Sequence, residues 1–187
     1  MHKNQIVGNQ FFPEAKNNTF AEGCMTNVNY WLLTLKLFTV LGCSLVAGVF
    51  FAFSTFVMSA LARLQPREGI VAMQSINITA INSWFMVALF GTALACLFLA
   101  IASLSKLHQP GAVYLLLGSL FYLVGTILVT IAFNVPLNDA LAIAKPDSTE
   151  GANLWARYLA NWTFWNHVRT IAAFSAAALL AIALCKQ

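Results

Sequence analysis

The densest group of chemically capable side chains is the run Trp162-Thr163-Phe164-Trp165-Asn166-His167-Val168-Arg169-Thr170. Indoles, an amide, an imidazole and a guanidinium crowd together against the start of the last apolar segment. An imidazole can take a proton near neutral pH. Guanidinium and amide N–H groups can hold a developing oxyanion, and flat aromatic walls suit a flat ligand. Asn77, Asn134, Asn138, Asp139 and Tyr158 are the other polar groups expected at the same end of the molecule. Polar groups in hydrocarbon are costly, so the cluster serves either anchoring or chemistry.

Composition decides what must position it. Of 187 residues, 60% are hydrophobic and 9% charged, against about 25% charged in a soluble domain. Leu37–Ala62, Gly69–Ser105, Leu107–Asn138 and Thr170–Cys185 carry no Asp, Glu, Lys or Arg. A span needs about 20 residues, and the best-placed ones are 33–58, 84–104, 112–134 and 167–185. The fold class is therefore an all-α membrane protein: four transmembrane helices in a bundle, with short interfacial helices in the first and third loops. The domains are a polar N-terminal tail, 1–30, and a transmembrane domain, 31–187. From Thr170 the last span is only roughly 24 Å long, so it must reach back to Asn166, which puts Asn166, His167 and Arg169 in its first turn.

Four spans place the first and third loops on one side. The basic residues fall five on each side, so charge does not fix orientation, and no basic stripe points to nucleic acid. Ser44, Gly48 and Ala52 form a small-residue stripe that would admit another helix. Pro66 with Glu68 opens a loop helix whose Gln74 and Asn77 share a face; these amides serve equally as interhelical glue or as ligand contacts. Pro136 stops or kinks the third span, and Asn138 would then cap a short helix. Trp155, Tyr158, Trp162, Trp165 and Arg169 follow helical spacing along one face. That stripe reads either as an interfacial aromatic belt or as the wall of a site.

The inventory excludes several chemistries. His2, His108 and His167 are the only histidines, too few on one side for a facial iron triad or bis-His haem. Phosphate-loop, dinucleotide and nucleophile-elbow motifs are missing. The four cysteines are scattered without a Cys-x-x-Cys pair and read as packing residues.

Four blocks carry a family resemblance: Gly48-Val-Phe50-Phe51-Ala-Phe53-Ser54 with Val57-Met58, Met73-Gln74-Ser-Ile-Asn77, Phe133-Asn134-Val135-Pro136-Leu137-Asn138, and Trp162-x-x-Trp165-Asn166-His167-Val168-Arg169-Thr170. In this order the chain resembles the anthrone oxygenase-like family of small four-helix membrane proteins. The resemblance implies a membrane-embedded oxygenase that oxidises a flat aromatic, anthrone- or quinone-like compound with dioxygen and no cofactor. Under it, His167 is the base, Arg169 and Asn138 hold the oxyanion, and Trp162 and Trp165 stack on the rings. Asn77, Asn134, Tyr158 and Asn166 complete the substrate contacts. The expected partners are a lipophilic aromatic substrate, dioxygen and the lipid bilayer, with room left for a homo-oligomer. The competing reading is a non-catalytic binding or assembly module for a lipid or partner protein; transport is weaker, because the spans offer only Lys36, near an end, as an ionisable group.

Overall fold

The computed structural model describes the backbone of residues 19–186 and the side chains of residues 30–186. The tail up to residue 18 and the Cys24 side chain lie outside the described residues. Contacts divide the chain into two compact units, Met1–Leu33 and Thr34–Gln187. In the first, the described part is the opening of a helix, with Tyr30 and Trp31 exposed. The second is helical throughout, with no strand among the described residues.

Five helices follow in order. α1 (Thr19–Ala52) continues through a π-helical stretch (Phe53–Val57) and a final α turn (Met58–Leu61). α2 (Pro66–Ile81) fills the first loop, with Pro66 in its first turn and Glu68 near its positive end, as the sequence indicates. α3 (Trp84–Leu104) matches the expected second span residue for residue; Ser83 caps it by accepting the Phe85 N–H at 3.2 Å. α4 (Ala112–Ala142) starts beyond Gly111, whose φ of 89° suits glycine alone among the coded residues. α5 (Thr149–Cys185) is capped by Ser148, which accepts the Gly151 N–H at 2.9 Å. Four of these helices are long and apolar enough to cross a bilayer, which marks the chain as a membrane protein.

One expected boundary is corrected. Pro136 does not end the third span: the helix runs on to Ala142, and Asn138 lies inside it rather than at a cap. The stretch before the proline, Thr130–Asn134, is π-helical, so a change of hydrogen-bond register falls where the N–H is missing. The helix that carries the fourth span starts well before residue 167, as the helical spacing from Trp155 implies. α5 has 37 residues, about 55 Å, and Asn166, His167 and Arg169 stand in mid-helix.

The small-residue seam also lies elsewhere than expected. Ser44 and Gly48 are exposed, and a Cβ added at Gly48 would meet nothing within 4 Å. α1 buries Cys43, Val46, Ala47 and Phe50 instead. The close approach is made by Gly118 and Gly125 of α4 against Ala176 and Ala172 of α5, where an added Cβ would come within 3.1 Å and less.

Two hydrophobic cores result. The first gathers Val46, Phe50, Leu89, Leu99, Tyr122, Ala176 and Leu180 among the four long helices. The second gathers Met58, Leu61, Ile70, Met73, Leu141, Trp155, Tyr158 and Trp162 around α2. Phe50 meets Phe85 edge-on at 5.9 Å, so the junction of the two cores is level with the first turn of α3. With its 21 residues, α3 spans about 31 Å, close to the hydrocarbon thickness. The second core is a helical cap beyond the start of α3, and the charged residues Arg63, Arg67, Glu68, Asp139, Lys145, Asp147, Glu150 and Arg157 belong to its helices and turns.

Gly69 tests the cap. A Cβ there would lie 2.7 Å from the Trp155 ring, whereas one at Gly48 meets open space. Gly69→Val should cost about 1–3 kcal/mol of stability and Gly48→Val well under 1 kcal/mol, measured by thermal unfolding in detergent.

Candidate functional site

Arg169 stands at the junction of the two cores and is only 4% exposed. Its Nη2 donates to Asn166 Oδ1 at 2.7 Å and its Nη1 to Thr130 Oγ1 at 3.3 Å. The guanidinium carbon lies 4.3 Å from the Phe50 ring centroid and 5.1 Å from that of Trp162. Cation–π attraction therefore replaces part of the lost hydration. The one ion pair among the described residues joins Arg67 to Asp147 far out on the cap, so Arg169 has no carboxylate partner there. Its Nε is buried without a hydrogen-bond partner.

Asn166 fixes this arrangement. Its Nδ2 donates to the Phe50 carbonyl and to Ser54 Oγ, both at 2.7 Å, while its Oδ1 receives Arg169. Thr170 Oγ1 donates to the Asn166 carbonyl at 2.8 Å and lies 3.1 Å from Ser54 Oγ. One fully buried amide thus ties α1 to α5 and aims the guanidinium. Asn166 acts behind Arg169, and both of its N–H donors are already engaged.

A second group sits above. Asn138 Oδ1 accepts from the Tyr158 hydroxyl at 2.8 Å and from Trp162 Nε1 at 2.9 Å. Two donors on Oδ1 fix the amide's orientation and turn its N–H₂ away from them. The Asn77 amide faces the Tyr158 hydroxyl. Asn134 Nδ2 donates to the Trp162 carbonyl at 3.3 Å, leaving its buried Oδ1 without a partner. Trp155, Tyr158 and Trp162 stack in succession, with centroids 5.6 and 6.1 Å apart, and the ladder ends at Arg169.

The structure therefore brings Asn77, Asn134, Asn138, Tyr158, Trp162, Asn166 and Arg169 into one connected region. His167 does not join them. It is exposed and lines a trough on another side of α5 with Met58, Ser59, Thr163 and Phe164. The reason is helical geometry: residues two apart point about 200° away from each other, so His167 cannot share a wall with Arg169. Trp165 is also peripheral. It is half-buried and stacks on Phe133 at 3.6 Å. The ladder rings are buried in protein, unlike a belt; Trp31 and Trp84, at 58% and 86% exposure, have the exposure of belt residues. Gln74 departs from Asn77 and donates to the Leu141 and Ala144 carbonyls at the end of α4.

Sequence reasoning missed Phe50, Ser54 and Thr130 as members of the site. Phe50 and Ser54 are four apart, as are Thr130 and Asn134, the spacing that places residues on one helix face. The three π-helical stretches, Phe53–Val57, Phe121–Leu128 and Thr130–Asn134, flank this region, and such widened turns are frequent at functional sites.

The family model described as anthrone oxygenase matches residues 79–179, more than half of the 187. The chain belongs to the anthrone oxygenase family. The matched stretch contains Asn134, Asn138, Tyr158, Trp162, Asn166 and Arg169, while Phe50, Ser54 and Asn77 precede it. Searches of curated proteins and of solved structures return no match. Membership supports an oxygenase-type role and leaves the substrate open.

Asn166→Ala removes two donations to α1 and leaves a buried guanidinium arm unpaired. A loss of roughly 3 kcal/mol is expected, read as a lowered unfolding temperature in detergent. Asn82→Ala, which loses only a local bond to the Ile78 carbonyl on the surface, should melt like wild type.

Proposed function

We propose that the protein is a multi-pass membrane oxygenase that converts a flat, anthrone-like aromatic compound to the corresponding quinone with dioxygen and no cofactor, at the Arg169 region. The observation that carries this reading is a buried guanidinium with a free Nε donor and no ion-pair partner among the described residues, placed between the Phe50 and Trp162 rings. A buried charge without a counter-ion is costly, and an enolate oxygen on a flat ring system would neutralise it. Family membership supports the reaction type.

In this reading the anthrone gives up a methylene proton to water before it is enclosed, and the ring oxygen carries the negative charge into the site. Arg169 stabilises that anion, with the Asn138 amide N–H groups as further donors; Trp162 and Phe50 provide flat walls. The electron-rich enolate reduces dioxygen. One oxygen atom remains on the former methylene carbon as the new carbonyl, and the other leaves as water with the two methylene hydrogens. His167 has no part at this centre, because it points elsewhere. A non-catalytic docking stripe is the less supported alternative, since Trp155, Tyr158 and Trp162 are buried rather than presented to a partner.

Oxygen uptake by purified protein with an anthrone is the test. Arg169→Met should lower turnover about 10²–10³-fold, and Arg169→Lys should recover part of it by restoring the charge. Equal rates for a folded Arg169→Met and the wild type would sink the proposal.

A further inference from the structure

We infer that the stacked rings of Phe133 and Trp165 are the gate through which a substrate passes from the bilayer to Arg169, and that they admit flat molecules in preference to others. This rests on the reading of the Arg169 region as a substrate site. Arg169 is 4% exposed, and Asn134, Trp162 and Asn166 around it are buried as well. A ligand therefore reaches the guanidinium only by parting two helices.

Most of the surrounding seams are firmly closed. Toward α1, the Asn166 amide donates twice at 2.7 Å, to the Phe50 carbonyl and to Ser54 Oγ. Toward α3, the Tyr122 hydroxyl donates to the Leu89 carbonyl at 3.1 Å and Phe50 meets Phe85 edge-on. Further into the membrane, Gly125 and Gly118 bring α4 directly against Ala172 and Ala176 of α5. In the cap, the Trp155 ring lies against Gly69. At the level of Arg169 itself, two bonds join α4 to α5: Asn134 Nδ2 to the Trp162 carbonyl and Arg169 Nη1 to Thr130 Oγ1, both 3.3 Å. They are the longest hydrogen bonds of the cluster, and such bonds weaken as they lengthen. This is the seam that parts most easily.

Phe133 immediately precedes Asn134 on α4, and Trp165 immediately precedes Asn166 on α5. Their rings stack across the same seam, 3.6 Å apart and 8° from parallel. Phe133 is 39% exposed and Trp165 half-buried, so the pair stands outside the two long bonds. Leu128 and Ile131 of α4 and Phe164 of α5 are exposed and continue the apolar surface around it. Opening needs only rotation of the two rings about their side-chain bonds. The backbone beside Phe133 can yield as well, because Thr130–Asn134 is π-helical and its carbonyl ladder is already interrupted. A flat aromatic molecule sliding between the rings exchanges one face-to-face contact for another. An acyl chain or a puckered ring offers no such exchange, which makes the gate a filter for flatness.

The test uses the full chain in lipid nanodiscs, with Cys24 and Cys185 changed to serine and Thr130→Cys as a reporter inside the seam. Alkylation at position 130 by flat N-phenylmaleimide and by puckered N-cyclohexylmaleimide is followed by peptide mass spectrometry. The phenyl reagent should react about threefold faster or more. Trp165→Ala should raise both rates about tenfold and remove the preference, whereas Phe51→Ala, which deletes an exposed ring of α1, should leave both within about twofold. Thermal unfolding verifies that each variant is folded, and Asn134→Cys replaces the reporter where Thr130→Cys is not. In a second arm, Phe133→Cys and Trp165→Cys are joined by a short reducible bis-thiosulfonate linker. Oxygen uptake with an anthrone should fall about tenfold or more and return on reduction. Equal labelling by the two reagents, an equal rise in Phe51→Ala and Trp165→Ala, or full uptake by the linked protein would overturn the gate. The expected labelling in a protein that shows no oxygen uptake would support the gate and count against the oxygenase reading alone.

Discussion

The Asn166–Arg169 hydrogen bond is the constraint around which the two cores are organised. A guanidinium keeps its charge at any accessible pH, and burying it without a counter-ion costs several kcal/mol. The fold offsets this with a neutral amide acceptor, a threonine hydroxyl and two aromatic faces. The contacts draw on three helices: Asn166 and Trp162 on α5 itself, Thr130 on α4, and Phe50 on α1. The charge therefore specifies how three helices meet, because displacing any of them strips away one of its few partners.

The backbone at this level is unusual for the same reason. α1 and α4 both turn π-helical where they meet the Arg169 region, and α4 does so twice before Pro136. A π turn changes which residues face inward and interrupts the regular carbonyl ladder. In α4 this keeps Thr126, Thr130 and Asn134 directed toward the interior, and it accommodates a proline without ending the helix. The unpaired oxygens of Thr126 and Asn134 sit in this widened stretch, where an ordinary helix would have bonded or hidden them. The irregular hydrogen-bond register of the junction is thus confined to two helices, while α5 remains regular throughout its 37 residues.

Much of this was legible in the sequence. Charge-free length and the Pro66 signal place α2 and α3 correctly, and the three–four spacing of Trp155, Tyr158, Trp162, Trp165 and Arg169 predicts one helix face, which holds for all but Trp165. What failed did so for identifiable reasons. Pro136 looks like a stop because the sequence gives no sign of the π turns that absorb it. Ser44, Gly48 and Ala52 have the pattern of a packing stripe, but the seam runs through Gly118, Gly125 and the alanines of α5, and pattern alone does not say which helix is the neighbour. His167 looked like a partner of Arg169 by proximity in sequence, yet two positions on a helix separate side chains more than three or four do. The helix of the fourth span, by contrast, reads back through the stripe from Trp155, well beyond the hydrocarbon length.

That last point bears on why α5 is so long. Below Arg169 its inward face is mostly alanine (Ala172, Ala173, Ala176, Ala177 and Ala183, with Thr170 and Leu180), matched by glycines of α4. Above it the buried residues are Trp155, Tyr158 and Trp162. Small pairs bring backbones together, whereas stacked rings need room between them, so the same two helices must be held closely in the membrane and filled by aromatic rings in the cap. The change from alanine to tryptophan falls at Asn166 and Arg169, where only hydrogen bonds of fixed length and direction reconcile the two spacings. A purely apolar junction would satisfy hydrophobic burial but would not fix the register between the halves. The polar cluster does, and it leaves one guanidinium N–H and one amide oxygen without partners at the place where the geometry is most tightly set.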